Sequence, residues 1–98
     1  MTLTTKELAN ALPPLYSQEH QPDPMAIVRF YDSLGSWSWY AVEFDGEGLF
    51  FGLVLGSERE LGYFSLAEFE EVNRAAGFER IKRDAHFKPT PVKDIQHS

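Results

Sequence analysis

The 98-residue chain predicts an α+β fold: a curved antiparallel β-meander of four or five strands, with a short N-terminal helix and a second helix after strand four. Three observations lead there. Aromatic and β-branched runs recur through the middle of the chain with turn residues between them, the pattern of short strands. Between two of those runs stands Asp45-Gly46-Glu47-Gly48, whose glycines supply the positive φ that a tight hairpin turn needs. After Ser65 the apolar spacing changes to three and four residues, at Leu66, Phe69 and Val72, which is a helix period.

Each element has its own signal. Thr4 and Glu7 form a capping box that opens a helix over residues 5–12, with Leu8 and Leu12 one turn apart on its buried face. Pro13 and Pro14 end it, because proline lacks the amide and restricts the residue before it. Leu15 and Tyr16 are expected to tuck an apolar anchor against the body, and residues 17–24 form a polar connector. MAIVRFY (25–31) is the first strand, WSWYAVEFD (37–45) the second, LFFGLVL (49–55) the third and LGYF (61–64) a short fourth. Ser65 then caps the second helix, with Glu68 placed to complete the box and Gly77 as its C-terminal stop. FERIKRDAHF (78–87) reads as a fifth, edge strand because charged side chains suit an exposed edge. KPTPVKDI closes the chain in extended form, with Ile95 as a last anchor.

Length and composition bound the function. A chain of this size makes one domain, residues 1–98, with a single core. No apolar run is long enough to cross a bilayer, no secretory leader opens the chain, and no membrane partner is expected. The absence of cysteine removes disulfides, thiolate catalysis and cysteine–zinc sites, and makes the cytoplasm the default compartment. The net charge of −6 is unevenly spread: residues 1–42 carry −2, residues 43–71 carry −7 and residues 72–98 carry +3. An acidic middle repels nucleic acid and favours basic partners.

The candidate sites lie in and around the central hairpin. Strict alternation turns Trp37, Trp39, Ala41 and Glu43 to one face of the second strand, and Ser38, Tyr40, Val42 and Phe44 to the other. In the third strand both faces are apolar, so either other elements cover both faces or one face receives a partner. Trp37 and Trp39 with Phe50 nearby make a hot-spot patch on the second reading and a second small core on the first. Glu43, Asp45 and Glu47 alternate near the hairpin tip and, with Glu58 and Glu60 on the next loop, make a solvated acidic rim, a cation site or an acid–base pair. His20, His86 and His97 are too scattered for a zinc site, and no nucleotide-binding or serine-nucleophile motif occurs. No cofactor or metal is expected. Arg80, Lys82, Arg83, Lys88 and Lys93, interleaved with Phe78, His86 and Phe87, form the one basic cluster and a conceivable nucleic-acid strip.

TKELANALPPLYSQE, W-x-W-Y-A-V-E-F-D-G, L-F-F-G-L-V-L-G and E-L-G-Y-F-S-L-A-E-F together resemble a family of small uncharacterised proteins carried by bacterial plasmids, phages and integrative conjugative elements. The resemblance runs from Thr5 to about Ile95 and transfers no catalytic residue. It implies a setting among antirestriction-like and DNA-processing genes. The expectation is a non-enzymatic protein-interaction module of a mobile element. It would bind a host or element-encoded protein, such as a basic nucleic-acid-binding effector, through Trp37, Trp39, Glu43, Asp45, Glu47 and Phe50. Its sharpest form is an anti-defence inhibitor, antirestriction or anti-CRISPR-like in action. The alternatives are a nucleic-acid accessory protein using Arg80, Lys82, Arg83 and Lys88, or an enzyme using the 43–47 carboxylates. Oligomeric state is not legible in the sequence.

Overall fold

Asp45 opens the four-residue turn that joins two central strands of the sheet. A computed structural model describes residues 5–17 and 23–95. The described elements are α1 (Thr5–Ala11), β1 (Met25–Ala26), β2 (Val28–Asp32), β3 (Ser38–Phe44), β4 (Leu49–Leu55), β5 (Arg59–Ser65), α2 (Leu66–Ala76), β6 (Ile81–Arg83), β7 (Thr90–Pro91) and a 3-10 turn (Val92–Asp94). Five strands form one open antiparallel sheet in the order β5-β4-β3-β2-β6, and β1 pairs with β7 as a separate two-stranded sheet. The expected α+β meander with its two helices is the fold observed. Thr4, half of the predicted first capping box, lies outside the described residues, as do His20, His97 and most of the 17–24 connector.

Cross-strand register assigns each side chain to a face. Phe44, Phe50 and Phe64 are direct partners across β3, β4 and β5, and their rings stack at 4.6 and 5.3 Å. A second row holds Phe30, Trp39 and Val54, and between the two rows run Val28, Ala41, Gly52 and Gly62. Phe69 of α2 packs its ring against Phe30 at 5.0 Å, Trp39 at 4.9 Å and Phe64 at 5.9 Å, so it bridges both rows. Leu8 of α1 and Leu12 just after it complete this core, at 1% and 5% exposure. Burying five phenylalanines and two leucines at roughly 2 kcal/mol each gives this face the larger share of the hydrophobic stabilisation.

The opposite face has its own smaller core. Val42, Leu53 and Leu55 pack with Ala26, Val92 and Ile95, flanked by Tyr40 and Phe87. The C-terminal segment therefore covers this face, held there by Arg59, whose guanidinium donates to the Val92 carbonyl at 2.9 Å and to the Ile95 carbonyl. Arg29 braces the same face from β2 through Asp84 at 3.0 Å, Ser38 Oγ at 2.9 Å and the Tyr40 hydroxyl at 3.2 Å. Of the two sequence readings for an apolar strand with no wet side, coverage by other elements accounts for most of it.

Several elements differ from expectation for tertiary reasons. The first strand breaks at Ile27, whose amide bonds the Ala41 carbonyl at 2.9 Å while Met25 and Ala26 turn to pair with β7. The fourth strand begins earlier, at Arg59, because it pairs with β4 along its whole length. Of the predicted 78–87 edge strand only Ile81–Arg83 is β, paired with β2, and the chain then turns at Ala85 and His86. Tyr16 is no apolar anchor. Its side chain is 65% exposed, and its backbone, at φ 69°, presents the amide to Glu43 instead.

Candidate functional site

One extra residue decides where the predicted site residues go. The β3–β4 register shifts between Ala41 and Glu43, a β-bulge at Val42. Before the bulge Trp39 and Ala41 face the helices. After it Phe44, not Glu43, returns to that face and stacks on Phe50. The strict alternation predicted for this strand is thus overturned at Val42. Gly52, opposite Ala41, is what lets the strands close: a Cβ there would lie 1.9 Å from the Tyr40 carbonyl oxygen.

The bulge also takes Glu43 out of the acidic rim. Its side chain is 4% exposed, and its Oε1 accepts the Tyr16 amide at 2.9 Å. Beside it the Phe44 amide bonds the Pro13 carbonyl at 2.9 Å, so the loop after α1 is docked along β3 by two bonds. Asp45 is committed as well. Its Oδ1 accepts the amides of Glu47, Gly48 and Leu49 at 2.7, 2.9 and 3.0 Å, closing the hairpin, and those bonds, Leu49's foremost, hold its carboxyl below the usual range. Glu47 alone of the three is exposed with no bond of this kind.

Asp45 and Glu47 do line an open groove of about 360 Å³, with Ser65, Leu66 and Glu70 at the start of α2 opposite them. Ser65 is tied into the helix cap, accepting the Glu68 amide at 3.2 Å. Among the described residues no three acidic, histidine or cysteine side chains converge to hold a metal. Asp45 is shifted toward the ionised form, the opposite of what a general acid needs at neutral pH. Glu43 and Asp45 thus serve the loop after α1 and the hairpin turn, and no metal-holding cluster forms with them among the described residues.

The tryptophans lie at the other end of β3, roughly 20 Å from the hairpin tip at about 3.3 Å per residue. Trp39 is half-buried between Phe69 and Trp37, whose ring centroid is 6.0 Å away. Trp37 is 44% exposed. Its indole fills the space beside Gly56, where a Cβ would meet three ring carbons within 2.6 Å. The ring is therefore seated against the β4–β5 turn on one side and Trp39 on another, with its remaining surface open. Leu34, 66% exposed, belongs to the same β2–β3 turn, which closes through the Asp32 amide and the Trp37 carbonyl. Phe50, by contrast, is fully buried at the centre of the phenylalanine row. The six residues predicted to form one surface are thus divided among an aromatic end, a core position and an acidic end.

The basic strip is divided too. Arg80 makes a two-pronged ion pair with Asp32, at 2.9 and 3.0 Å, which lowers the Asp32 pKa and raises its own. Lys82 pairs with Tyr31 on the C-terminal-segment face, whereas Arg83 pairs with Phe30 on the helix face and is half-buried. Lys88 is exposed in the loop before β7, and Lys93 lies 3.5 Å from Asp23. These cations share no single surface.

The whole of this architecture falls within one known family. A family model described as "Protein of unknown function (DUF2958)" matches residues 3–93. The chain belongs to that family. The match spans α1 through the start of the 3-10 turn, so the helix-face core, the bulge, the tryptophan end and all of the second core but Ile95 are within it. No curated protein and no solved structure matches the chain. Among the described residues no helix is long and apolar enough to cross a membrane.

The structure also brings forward Gly56, which sequence reasoning passed over, and moves Glu58 and Glu60 from the expected hairpin-tip rim to the tryptophan end. Gly56 seats Trp37, and a glycine directly after an apolar strand was a signal for close approach by a ring or a backbone. Glu58 and Glu60, rather than Glu43, flank the tryptophan end. Glu58 shares the turn with Gly56, and Glu60 pairs with Val54, itself the partner of Trp39.

Proposed function

We propose that this protein is a non-enzymatic interaction module that binds another protein through the Trp37 end of its sheet. The observation that carries the reading is the state of Trp37: a large aromatic side chain, 44% exposed, seated by Trp39 and by the missing side chain of Gly56. A tryptophan already ordered before binding loses little conformational freedom when a partner covers it, which is why such residues dominate interface energetics. Leu34 in the same turn extends the apolar area, and Glu58 and Glu60 supply a polar rim. The setting we infer is a mobile genetic element, on the resemblance carried by W-x-W-Y and E-L-G-Y-F-S-L. Inhibition of a host or element-encoded defence protein is the sharpest form of the proposal.

The test compares tagged wild type, Trp37→Ala and Asp45→Asn/Glu47→Gln proteins expressed in a host that carries the family. Complexes are isolated and quantified by mass spectrometry, and folding of each variant is checked by circular dichroism. A stoichiometric partner retained by the hairpin-tip variant and lost with Trp37→Ala supports the reading. The same partner captured equally by Trp37→Ala ends it.

A further inference from the structure

We infer that the partner segment received by Trp37 is basic: an arginine- or lysine-bearing stretch of chain whose cation lies on the Trp37 indole beside Glu58 and Glu60. This rests on the reading of Trp37 as a binding surface and adds the chemistry of what binds. An exposed indole offers a negative π-face that attracts a cation. What selects a cation over another apolar group is the charge around the ring.

That charge is uncompensated. Glu58 lies two residues beyond Gly56 in the turn that seats the indole, and the Gly56 amide bonds the Glu58 carbonyl at 3.1 Å. Glu60 is on the tryptophan face, two strand spacings (about 10 Å) from Trp39 through Val54. Both glutamates are exposed, and neither has an ion-pair partner among the described residues. Arg83, in the same cross-strand row, stands on the far side of Trp39, four strand spacings (about 19 Å) from Glu60 through Phe30, Trp39 and Val54, and three other arginines are already used. Arg80 is bound two-pronged by Asp32, Arg74 pairs with Glu71 on the helix, and Arg59, between the two glutamates in sequence, sends its guanidinium to the Val92 and Ile95 carbonyls on the opposite face. The fold thus gathers two free carboxylates at a pre-seated aromatic ring and directs the intervening arginine away from them. A basic segment supplies both missing halves, a guanidinium for stacking and a positive charge for the pair. The −7 carried by residues 43–71 favours its approach from a distance.

The probe is an acetylated, amidated peptide of alternating arginine and glycine, titrated at low salt into the full 98-residue protein. Binding is followed by the two tryptophan indole N–H resonances. The expected result is a saturable shift of the Trp37 signal with a smaller response of its neighbour Trp39, and in Trp37→Ala the remaining Trp39 signal no longer responds to the peptide. In Glu58→Gln/Glu60→Gln the dissociation constant rises about tenfold and its salt dependence flattens. The same peptide with neutral citrulline in place of arginine leaves the signal unmoved. An equal shift with the citrulline peptide overturns the proposal, because recognition is then apolar. So do perturbations confined to the Asp45–Glu47 tip, or no perturbation at all. Concentration-dependent self-association lost in Trp37→Ala assigns the surface to a second copy instead and likewise overturns it. The capture experiment separates the two claims. A cellular partner lost with Trp37→Ala but fully retained by Glu58→Gln/Glu60→Gln leaves the binding surface standing and removes the basic partner.

Discussion

Two glycines that face each other across β4 and β5 should respond in opposite ways to the same substitution. Gly52 and Gly62 are direct cross-strand partners in the small-residue row beneath α2. A Cβ at Gly52 would lie 1.9 Å from the Tyr40 carbonyl oxygen, 2.9 Å from its carbon and 3.1 Å from the Ala41 Cα. All three are backbone atoms of the bulged strand, so no rotamer change relieves the clash, and an overlap of more than 1 Å has to be taken up by moving β3 from β4. At Gly62 a Cβ meets nothing within 4 Å. Overpacking of a rigid site costs up to about 3 kcal/mol and occasionally more, so Gly52→Ala is expected at or above that figure. Gly62→Ala should stabilise by about 0.4–1 kcal/mol through the loss of unfolded-state freedom. In urea, with an m-value of about 1–2 kcal/mol per M, Gly52→Ala then lowers the midpoint by roughly 1.5–3 M, and Gly62→Ala raises it by a few tenths. Tryptophan fluorescence reads both transitions. A Gly52→Ala midpoint equal to wild type, or matching losses at the two positions, would refute the assignment of the bulge to Val42 and of Gly52 as the residue that permits it.

Three further outcomes follow from single contacts. Ser65→Ala removes the acceptor for the Glu68 amide and should cost about 1 kcal/mol, lowering Tm by roughly 4–8 °C in calorimetry; an unchanged Tm would show the cap to be idle. Asp32 is held below its ordinary pKa of 3.8 chiefly by the Arg80 guanidinium, so its contribution is present above that value and is lost as pH falls through the lower folded value. Asp32→Asn should therefore be less stable than wild type at neutral pH, with the difference narrowing below about pH 4 in urea titrations; a difference independent of pH would count against the ion pair. Gly56→Ala places a carbon 2.5 Å from the Trp37 ring, which must swing outward. Its emission should move to the red and become more accessible to iodide, and an unaltered spectrum would mean the ring is not seated there.

Much of the fold was legible because its signals are local. Asp45-Gly46-Glu47-Gly48 named the hairpin, and Asp45 does close it through three amides. Ser65 and Gly77 bounded α2 to the residue, the first as side-chain cap and the second at φ 82°. What was not legible is where strands stop for the sake of a distant partner. Ile27 breaks the first strand because its amide goes to Ala41. The last edge strand begins at Ile81, where Asn73 of α2 binds its amide at 2.7 Å and its carbonyl at 3.3 Å, an anchor 8 residues back that no window of apolar spacing reports.

The candidate site was misread for a more specific reason, the parity of one strand. Counting in twos from Trp37 carries Glu43 onto the tryptophan face and Phe44 off it. A single bulged residue reverses both, which joins Phe44 to Phe50 and Phe64 and buries Glu43 under the Tyr16 amide. Two features of the sequence were signals for that reversal: a phenylalanine that strict alternation left without the row it completes, and Gly52 set among large apolar residues with no turn to explain it. With parity restored, the tryptophans and the hairpin-tip carboxylates lie roughly 20 Å apart and do not form one surface. Any electrostatic recognition by Trp37 must draw instead on the turn that follows β4. The fold meets that requirement by sending Arg59 through to the far face while Glu58 and Glu60 remain without a counter-charge among the described residues.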